Sequence, residues 1–251
     1  MAGGRRLVVR RVTGTGTPRG AVLLLHGGAE YGMRRPSRLS GPSWRMRPFV
    51  RALAREPDGG GLVPAEAGGG GLVLAEARYR HRGWNGERAD AARDAEEALA
   101  ELDTFSGGVP VVLVGHSMGG RAALRVAGHE RVTGVVALAP WCPPGEPVAQ
   151  LAGRRLVFAH ARADRVTAPE ESLRMAVAAR AAGAGVCRYL LPGGDHTMLR
   201  YAAVWHSLTA RAACALLGLA PLPAEAAAAF ALPAASPGGL ELRAPGAANT
   251  M

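Results

Sequence analysis

Lysine is absent from this chain of 251 residues, so all 30 of its basic side chains are arginines. Set against 20 acidic residues they leave a net charge of +10. Together with 35 glycines and abundant alanine, an arginine-only basic set fits GC-rich coding. No nucleic-acid motif accompanies the charge, so it reads as a solvated surface and nucleic acid is not an expected partner. The densest basic stretch, Arg34 to Arg55, holds no acid and would attract acidic substrates. Cysteine is scarce as well. Cys142, Cys187 and Cys214 are scattered with no C-x-x-C spacing, which excludes a disulfide framework and a zinc site and points to reduced thiols. No uncharged apolar run reaches the roughly 18–20 residues of a membrane span. The opening Met1–Val12 is basic and lacks a long apolar segment, so no secretory signal and a cytoplasmic location are expected. What is present, 48% hydrophobic and 20% charged residues, suffices for one or two compact cores. Nothing in the sequence marks an oligomeric state.

Short apolar runs alternate with amphipathic stretches. Leu7–Val12, Ala21–Leu25, Leu72–Ala77, Pro110–Val114, Val132–Leu138, Leu156–Ala159 and Val186–Leu191 read as strands. Helical patterns fall near Trp44–Arg55, Glu87–Asp103, Met118–His129, Pro169–Ala182 and Thr197–Leu217. The clearest is the second, with Ala91, Ala95, Ala98, Leu99 and Leu102 on one face. This alternation predicts an α/β fold, a mainly parallel sheet of about seven strands with helices on both faces.

One tandem repeat interrupts the pattern: Gly59–Ala67 reads GGGLVPAEA and Gly69–Ala77 reads GGGLVLAEA. Pro64 cannot donate to a ladder, so the second copy is assigned to the sheet and residues 58–71 to a surface insertion. From Pro221 to Met251 the chain is Ala, Pro and Gly without periodicity, which predicts a folded domain over 1–220 and a disordered, dispensable tail over 221–251.

Gly115-His116-Ser117-Met118-Gly119 follows a predicted strand and opens a predicted helix, the setting a G-x-S-x-G nucleophile turn requires. The sharp turn holds the serine in a strained conformation with its hydroxyl above the sheet. Gly115 and Gly119 leave the room a side chain would fill. The helix N-terminus offers free N–H groups near a developing oxyanion. Another reading of the pentapeptide is a glycine-rich turn with an idle serine.

Four segments together resemble the α/β-hydrolase family, in its small lid-less esterase or lysophospholipase-like form, over Leu7 to Leu217. Ala21–Gly28 resembles the oxyanion-loop strand and Gly115–Gly120 the nucleophile elbow. Leu156–Val166 resembles the acid-bearing strand and loop, and Gly193–His196 the histidine loop. The chain departs from the family in the acid loop, with Ala161 where glycine is usual and Ala168 where proline is frequent. The resemblance implies a triad in the order Ser117, Asp164, His196. Ser117 would be the nucleophile, His196 its general base, and Asp164 the group that orients the imidazole. Asp195, Glu170 and Glu171 compete for the acid's part, and His116 reads as a packing residue. Met118 N–H and most naturally Gly28 N–H would form the oxyanion hole.

Only Ala139–Arg155 separates two late strands where relatives insert a lid, so no large cap domain is expected and the site should be open. Trp84, Trp141 and Cys142 are its expected pocket lining, with the Ala29–Arg38 segment as a further boundary. The implied activity is hydrolysis of small to medium acyl esters or thioesters by a serine hydrolase through an acyl-enzyme, with small-molecule substrates and no cofactor or metal. Acyltransferase, peptidase and cofactor-free perhydrolase activities use the same triad. An idle ligand-binding protein on this fold is the reading from another class.

Overall fold

The computed structural model describes residues 5–37, 41–59 and 70–245. In chain order the strands are β1 (Leu7–Gly14), β2 (Gly16–Leu25), β3 (Gly70–Ala77), β4 (Val111–His116), β5 (Val132–Leu138), β6 (Arg155–Ala161), β7 (Gly185–Leu191) and β8 (Leu242–Arg243). The helices are α1 (Gly41–Gly59), α2 (Asp90–Ser106), α3 (Met118–Arg125), α4 (Pro169–Ala181), α5 (Ala202–Leu216) and α6 (Ala224–Phe230). Among the described residues the sheet has eight strands in the order β1-β3-β2-β4-β5-β6-β7-β8, one more than the sequence suggests. Only β1 runs antiparallel to its neighbour.

Both faces of the sheet are covered, as a parallel sheet requires. Alternation along β2 shows how. Ala21, Leu23 and Leu25 pack with α2, α3 and α4, while Val22 and Leu24 pack with α1, α5 and α6. The apolar face of α2 is the one its spacing predicts: Ala91, Ala95, Ala98, Leu99 and Leu102 are all buried. The helix stops at Gly107, left-handed at φ 72°, whose N–H caps the Asp103 carbonyl. Pro169 opens α4 with Glu170 and Glu171 in its first turn, where a missing N–H and negative charge both suit the helix start.

Between β5 and β6 the chain forms one 3-10 turn, Ala149–Leu151, and no cap domain. Parallel strands place the loops after β2, β4, β6 and β7 at one edge of the sheet. Ser117, Asp164, His196 and Gly28 lie on these loops, and Met118 opens α3.

Two boundaries differ from the sequence reading. Gly70 and Gly71 belong to β3, and α1 extends to Gly59, so both ends of the expected insertion fall in regular structure. Residues 60–69, with Pro64, lie outside the described residues. The second correction is larger. Residues 221–245 are not a disordered tail. They form α6, whose Ala226 and Ala229 are buried against the sheet, and β8, which pairs with Tyr189 and Leu190 of β7. Alanine has little apolar surface to show in a periodicity, but it allows close approach, and Leu240 and Ala244 anchor the remainder. Residues 246–251 lie outside the described residues.

Candidate active site

Ser117 sits between β4 and α3 with φ 55° and ψ −120°, a conformation that costs a non-glycine residue on the order of 1–3 kcal/mol. Packing enforces it. A Cβ on Gly115 would lie 2.2 Å from the Gly119 carbonyl oxygen, and one on Gly119 would lie 2.2 Å from that of Leu25. Ser117 N–H donates to the Leu138 carbonyl at 3.0 Å, and its own carbonyl accepts from Gly120, Arg121 and Trp141. The turn is thus tied to α3 and to the loop after β5.

The loops after β6 and β7 bring two partners to the serine. His196 Nε2 lies 3.0 Å from Ser117 Oγ, and His196 Nδ1 lies 2.8 Å from Asp164 Oδ2. The competing acids are elsewhere. Asp195 Oδ1 is occupied by the Thr197 N–H and hydroxyl, and Glu170 and Glu171 begin α4.

Asp164 is strongly held. Oδ1 accepts from the N–H groups of Val166 (2.8 Å) and Thr167 (3.1 Å), and Oδ2 also accepts the Thr167 hydroxyl (3.1 Å). His160 Nε2 approaches Oδ2 to 3.3 Å. Burial by itself raises the pKa of this carboxyl. The hydrogen bonds from His160, His196, Val166 and Thr167 outweigh it and hold Asp164 well below the usual carboxylate range. Asp164 is therefore ionised at neutral pH and directed at the imidazole.

His116 contacts the same histidine from the other side. Its Nε2–H donates to the His196 carbonyl at 3.0 Å, and the two rings lie 4.8 Å apart. Burial above all, with the His196 ring and Arg45 nearby, lowers its pKa to about 3, so it stays neutral. Arg45 of α1 donates to the Thr197 carbonyl, next to His196. The histidine loop is thus fastened by β4 and by α1.

The loop after β2 lies against the elbow. A Cβ on Gly28 would meet Met118 Cε at 2.4 Å, so Gly28 is in close contact with the residue after Ser117. The N–H groups of Gly28 and Met118 take no acceptor among the described residues. An oxyanion is received by a pair of such free donors.

The expected pocket lining is corrected. Trp84 is only 2% exposed and Cys142 is 3% exposed, so neither faces an open cleft; Trp141 is half-buried. Arg121 of α3 draws the tryptophans inward. Its guanidinium lies 3.9 Å from the Trp84 ring centre and 4.3 Å from that of Trp141, and it pairs with Glu146, which also receives Arg125. The two rings, 6.4 Å apart and nearly perpendicular, both face this cation. Burial, with Glu146 and Glu171 nearby, pushes the Cys142 thiol far up, which leaves it an inert core residue.

Other apolar side chains, on the segments adjoining the site residues, are exposed. Tyr31 and Met33 follow β2, Trp44 begins α1, Val166 follows Asp164 and Leu199 follows His196, and each is at least half exposed. A cavity of about 270 Å³ lined by Tyr189, Arg211 and Glu225 lies between the sheet, α5 and α6, away from Ser117. Sequence reasoning missed His160, Thr167, Ser172 and Arg188 around the acid; the one available signal was a histidine four residues before Asp164 in a strand.

The profile of the alpha/beta hydrolase family matches residues 22–243, and the chain belongs to that family. No curated protein matches it significantly by sequence. Solved structures share its fold at low identity. An acetyl ester-xyloside bifunctional hydrolase from Caldicellulosiruptor lactoaceticus is 16% identical, with a TM-score of 0.62 over 85% of this chain and 88% of that one. Est1E from Butyrivibrio proteoclasticus, bound to ferulic acid, is 10% identical, with a TM-score of 0.61 over 84% and 95%. An alpha-beta serine hydrolase homologue from Coxiella burnetii is 16% identical, with a TM-score of 0.58 over 82% and 90%.

Proposed function

We propose that this chain is a serine hydrolase that cleaves carboxylic esters or thioesters of small to medium acyl groups. The observation that carries the reading is the unbroken hydrogen-bonded line from Ser117 Oγ through His196 to Asp164 Oδ2, ending on a serine held at positive φ. The structural relatives include an acetyl ester hydrolase, which favours esters over other substrates.

In the first half-reaction His196 Nε2 takes the Ser117 proton as Oγ bonds to the carbonyl carbon. The carbonyl oxygen becomes an oxyanion received by the N–H groups of Gly28 and Met118. Asp164 stabilises the imidazolium and keeps its Nδ1–H turned inward. Collapse breaks the bond to the leaving oxygen or sulfur, which takes the proton from His196, and leaves an acyl-serine. Water repeats the sequence: His196 accepts its proton, the hydroxyl adds to the acyl carbon, and Ser117 leaves with the proton restored. The short loop between β5 and β6 provides no lid wall for a long chain, and each methylene left in water forgoes about 0.8 kcal/mol of burial. Small to medium acyl groups follow from this, as does the lack of a lid-opening jump at a lipid–water interface.

The test is a panel of acyl esters of rising chain length with Ser117→Ala beside the parent chain, plus labelling by a fluorophosphonate. Turnover should fall roughly 10³-fold or more in the variant, and labelling should vanish. A variant that keeps over about a tenth of the turnover, or a parent chain that resists the probe, would return the protein to the idle ligand-binding reading.

A further inference from the structure

Behind the candidate triad lies a second, wholly buried histidine. His160 is the sixth residue of β6 and is 0% exposed. Its Nε2 faces the Thr167 carbonyl at 3.1 Å and Asp164 Oδ2 at 3.3 Å. Both are acceptors, so the proton belongs on Nε2. Its Nδ1 lies 2.8 Å from Ser172 Oγ.

The serine decides what Nδ1 does. Arg188 Nε–H donates to Ser172 Oγ at 3.1 Å, which leaves the hydroxyl its own proton to give. Two acceptors are in reach, His160 Nδ1 and the Pro169 carbonyl at 2.9 Å. The Pro169 carbonyl already receives Arg188 Nη2 at 2.8 Å. Sending the hydroxyl proton to Nδ1 gives every donor an acceptor. The alternative turns the proton to the already occupied Pro169 carbonyl and leaves the buried Nδ1 facing an oxygen that donates nothing to it. Arg188 is itself fixed by the Leu240 carbonyl at 3.0 Å, so the line runs from the C-terminal segment to the acid.

We propose that His160 is a positioning residue for the reaction: its Nε2–H, shared between the Thr167 carbonyl and Asp164 Oδ2, steadies the acid beside His196, and Ser172, oriented by Arg188, fixes the tautomer that permits it. The inference rests on the reading of Ser117, His196 and Asp164 as the triad. Asp164 Oδ2 receives His196 in the reaction, so a donor on that same oxygen controls where it points. Misplacing a catalytic group by about 1 Å costs about 10²-fold in rate. The burial of His160 excludes contact with substrate, so binding should be indifferent to it.

The experiment compares p-nitrophenyl acetate turnover by the full chain with His160→Leu, His160→Gln, Ser172→Ala and Ser117→Ala, each checked by thermal unfolding. His160→Leu should lower kcat about 10²-fold with KM nearly unchanged. His160→Gln, whose side-chain amide N–H reaches the place of Nε2–H, should recover most of the loss, and Ser172→Ala should fall between. A folded His160→Leu protein with parental kcat overturns the inference, as does an equal loss in the Leu and Gln variants. If His160→Leu does not fold, ¹⁵N spectra of the imidazoles in the parent chain decide. A His160 signal protonated at Nε2 and bare at Nδ1 supports the assignment, and a proton on Nδ1 overturns it. Ser117→Ala separates the two readings: activity surviving there removes the triad itself, whereas loss there with a fully active His160→Leu removes only the role of His160.

Discussion

Two arginines on the α2–α3–α4 side of the sheet, Arg188 buried and Arg121 mostly so, solve the same problem in opposite ways. Arg121 is balanced by charge: Glu146 lies against it and the faces of Trp84 and Trp141 cover it. Arg188 has no carboxylate. It is only 2% exposed, and its three bonds go to the hydroxyl of Ser172 and the carbonyls of Pro169 and Leu240. Arg180 repeats that pattern with the carbonyls of Ser236, Gly238 and Val186. Burial lowers the pKa of both Arg188 and Arg180, although a guanidinium stays charged. A carboxylate attracts from any direction, so the Arg121 centre tolerates small shifts. Carbonyl dipoles must be aimed, so the Arg188 centre depends on where a segment fifty-odd residues away lies. The first arrangement supplies attraction and the second supplies alignment, and alignment is the one found next to the acid loop.

The comparison breaks most completely if the C-terminal segment is removed. Deleting residues 221–251 takes away the Ser236, Gly238 and Leu240 acceptors together with α6 and β8. Each buried charged donor left unpaired costs about 1–3 kcal/mol, against a typical domain stability of about 5–15 kcal/mol. The truncated chain should lose cooperative unfolding in urea. A soluble truncated protein with the parental midpoint would show that these carbonyls hold nothing.

Glu146→Leu attacks the charge-balanced centre. It leaves Arg121 beneath the elbow without its carboxylate, for a loss of about 3 kcal/mol in urea unfolding. Combining it with Arg121→Met should restore most of that stability, because the more buried of the two orphaned guanidiniums is then gone and Arg125, about a third exposed, keeps water. A double variant no more stable than the single one would mean that Glu146 acts through something other than Arg121.

Arg188→Met should cost about 2 kcal/mol by leaving the Pro169 and Leu240 carbonyls unmatched. Arg188→Lys should not restore it, since one ammonium cannot reproduce a planar fork that bonds three acceptors in set directions. Full rescue by lysine would make the centre one of charge rather than of aim.

The smallest effect is the pH response of the acid. The folded pKa of Asp164 lies below its unfolded value of about 4. Folding is therefore favoured by the ionised form above that value, and the contribution is lost as pH falls through the acid range toward the folded pKa. Urea midpoints measured from neutral pH downward should decline less steeply in Asp164→Asn than in the parent chain. Parallel declines would mean that other carboxylates carry the acid response.

What the sequence disclosed followed the range of the interactions. Elbow glycines, the face of α2 and the strands flanked by turns are set by neighbours within a few residues, and each left a pattern. Arg188 left none. An arginine in mid-strand reads as solvent-facing until Ser172, Pro169 and Leu240 are seen to surround it. His160 lay in plain view four residues before Asp164, but its role needed Ser172 from another element to become visible. Trp84 follows a strand at the site's edge, which suggested pocket lining. The cation on α3 that turned it inward is 37 positions away, as the numbers of Trp84 and Arg121 show. The segment after Pro221 failed the test of periodicity because alanines and backbone carbonyls carry its contacts, and neither produces a hydrophobic pattern.

The line from Leu240 to Asp164 also sets an order of events during synthesis. A ribosome makes Ser117, Asp164, Arg188 and His196 before it makes the carbonyl that Arg188 requires. At about 5–20 residues per second, the interval between Arg188 and Leu240 lasts on the order of several seconds. Through that interval the Arg188 guanidinium lacks one of its three acceptors, so its bond to Ser172 is less firmly aimed. On the proposed reading of Ser117, the nucleophile is therefore synthesised seconds before the last part of its support, which comes from a stretch rich in alanine, proline and glycine.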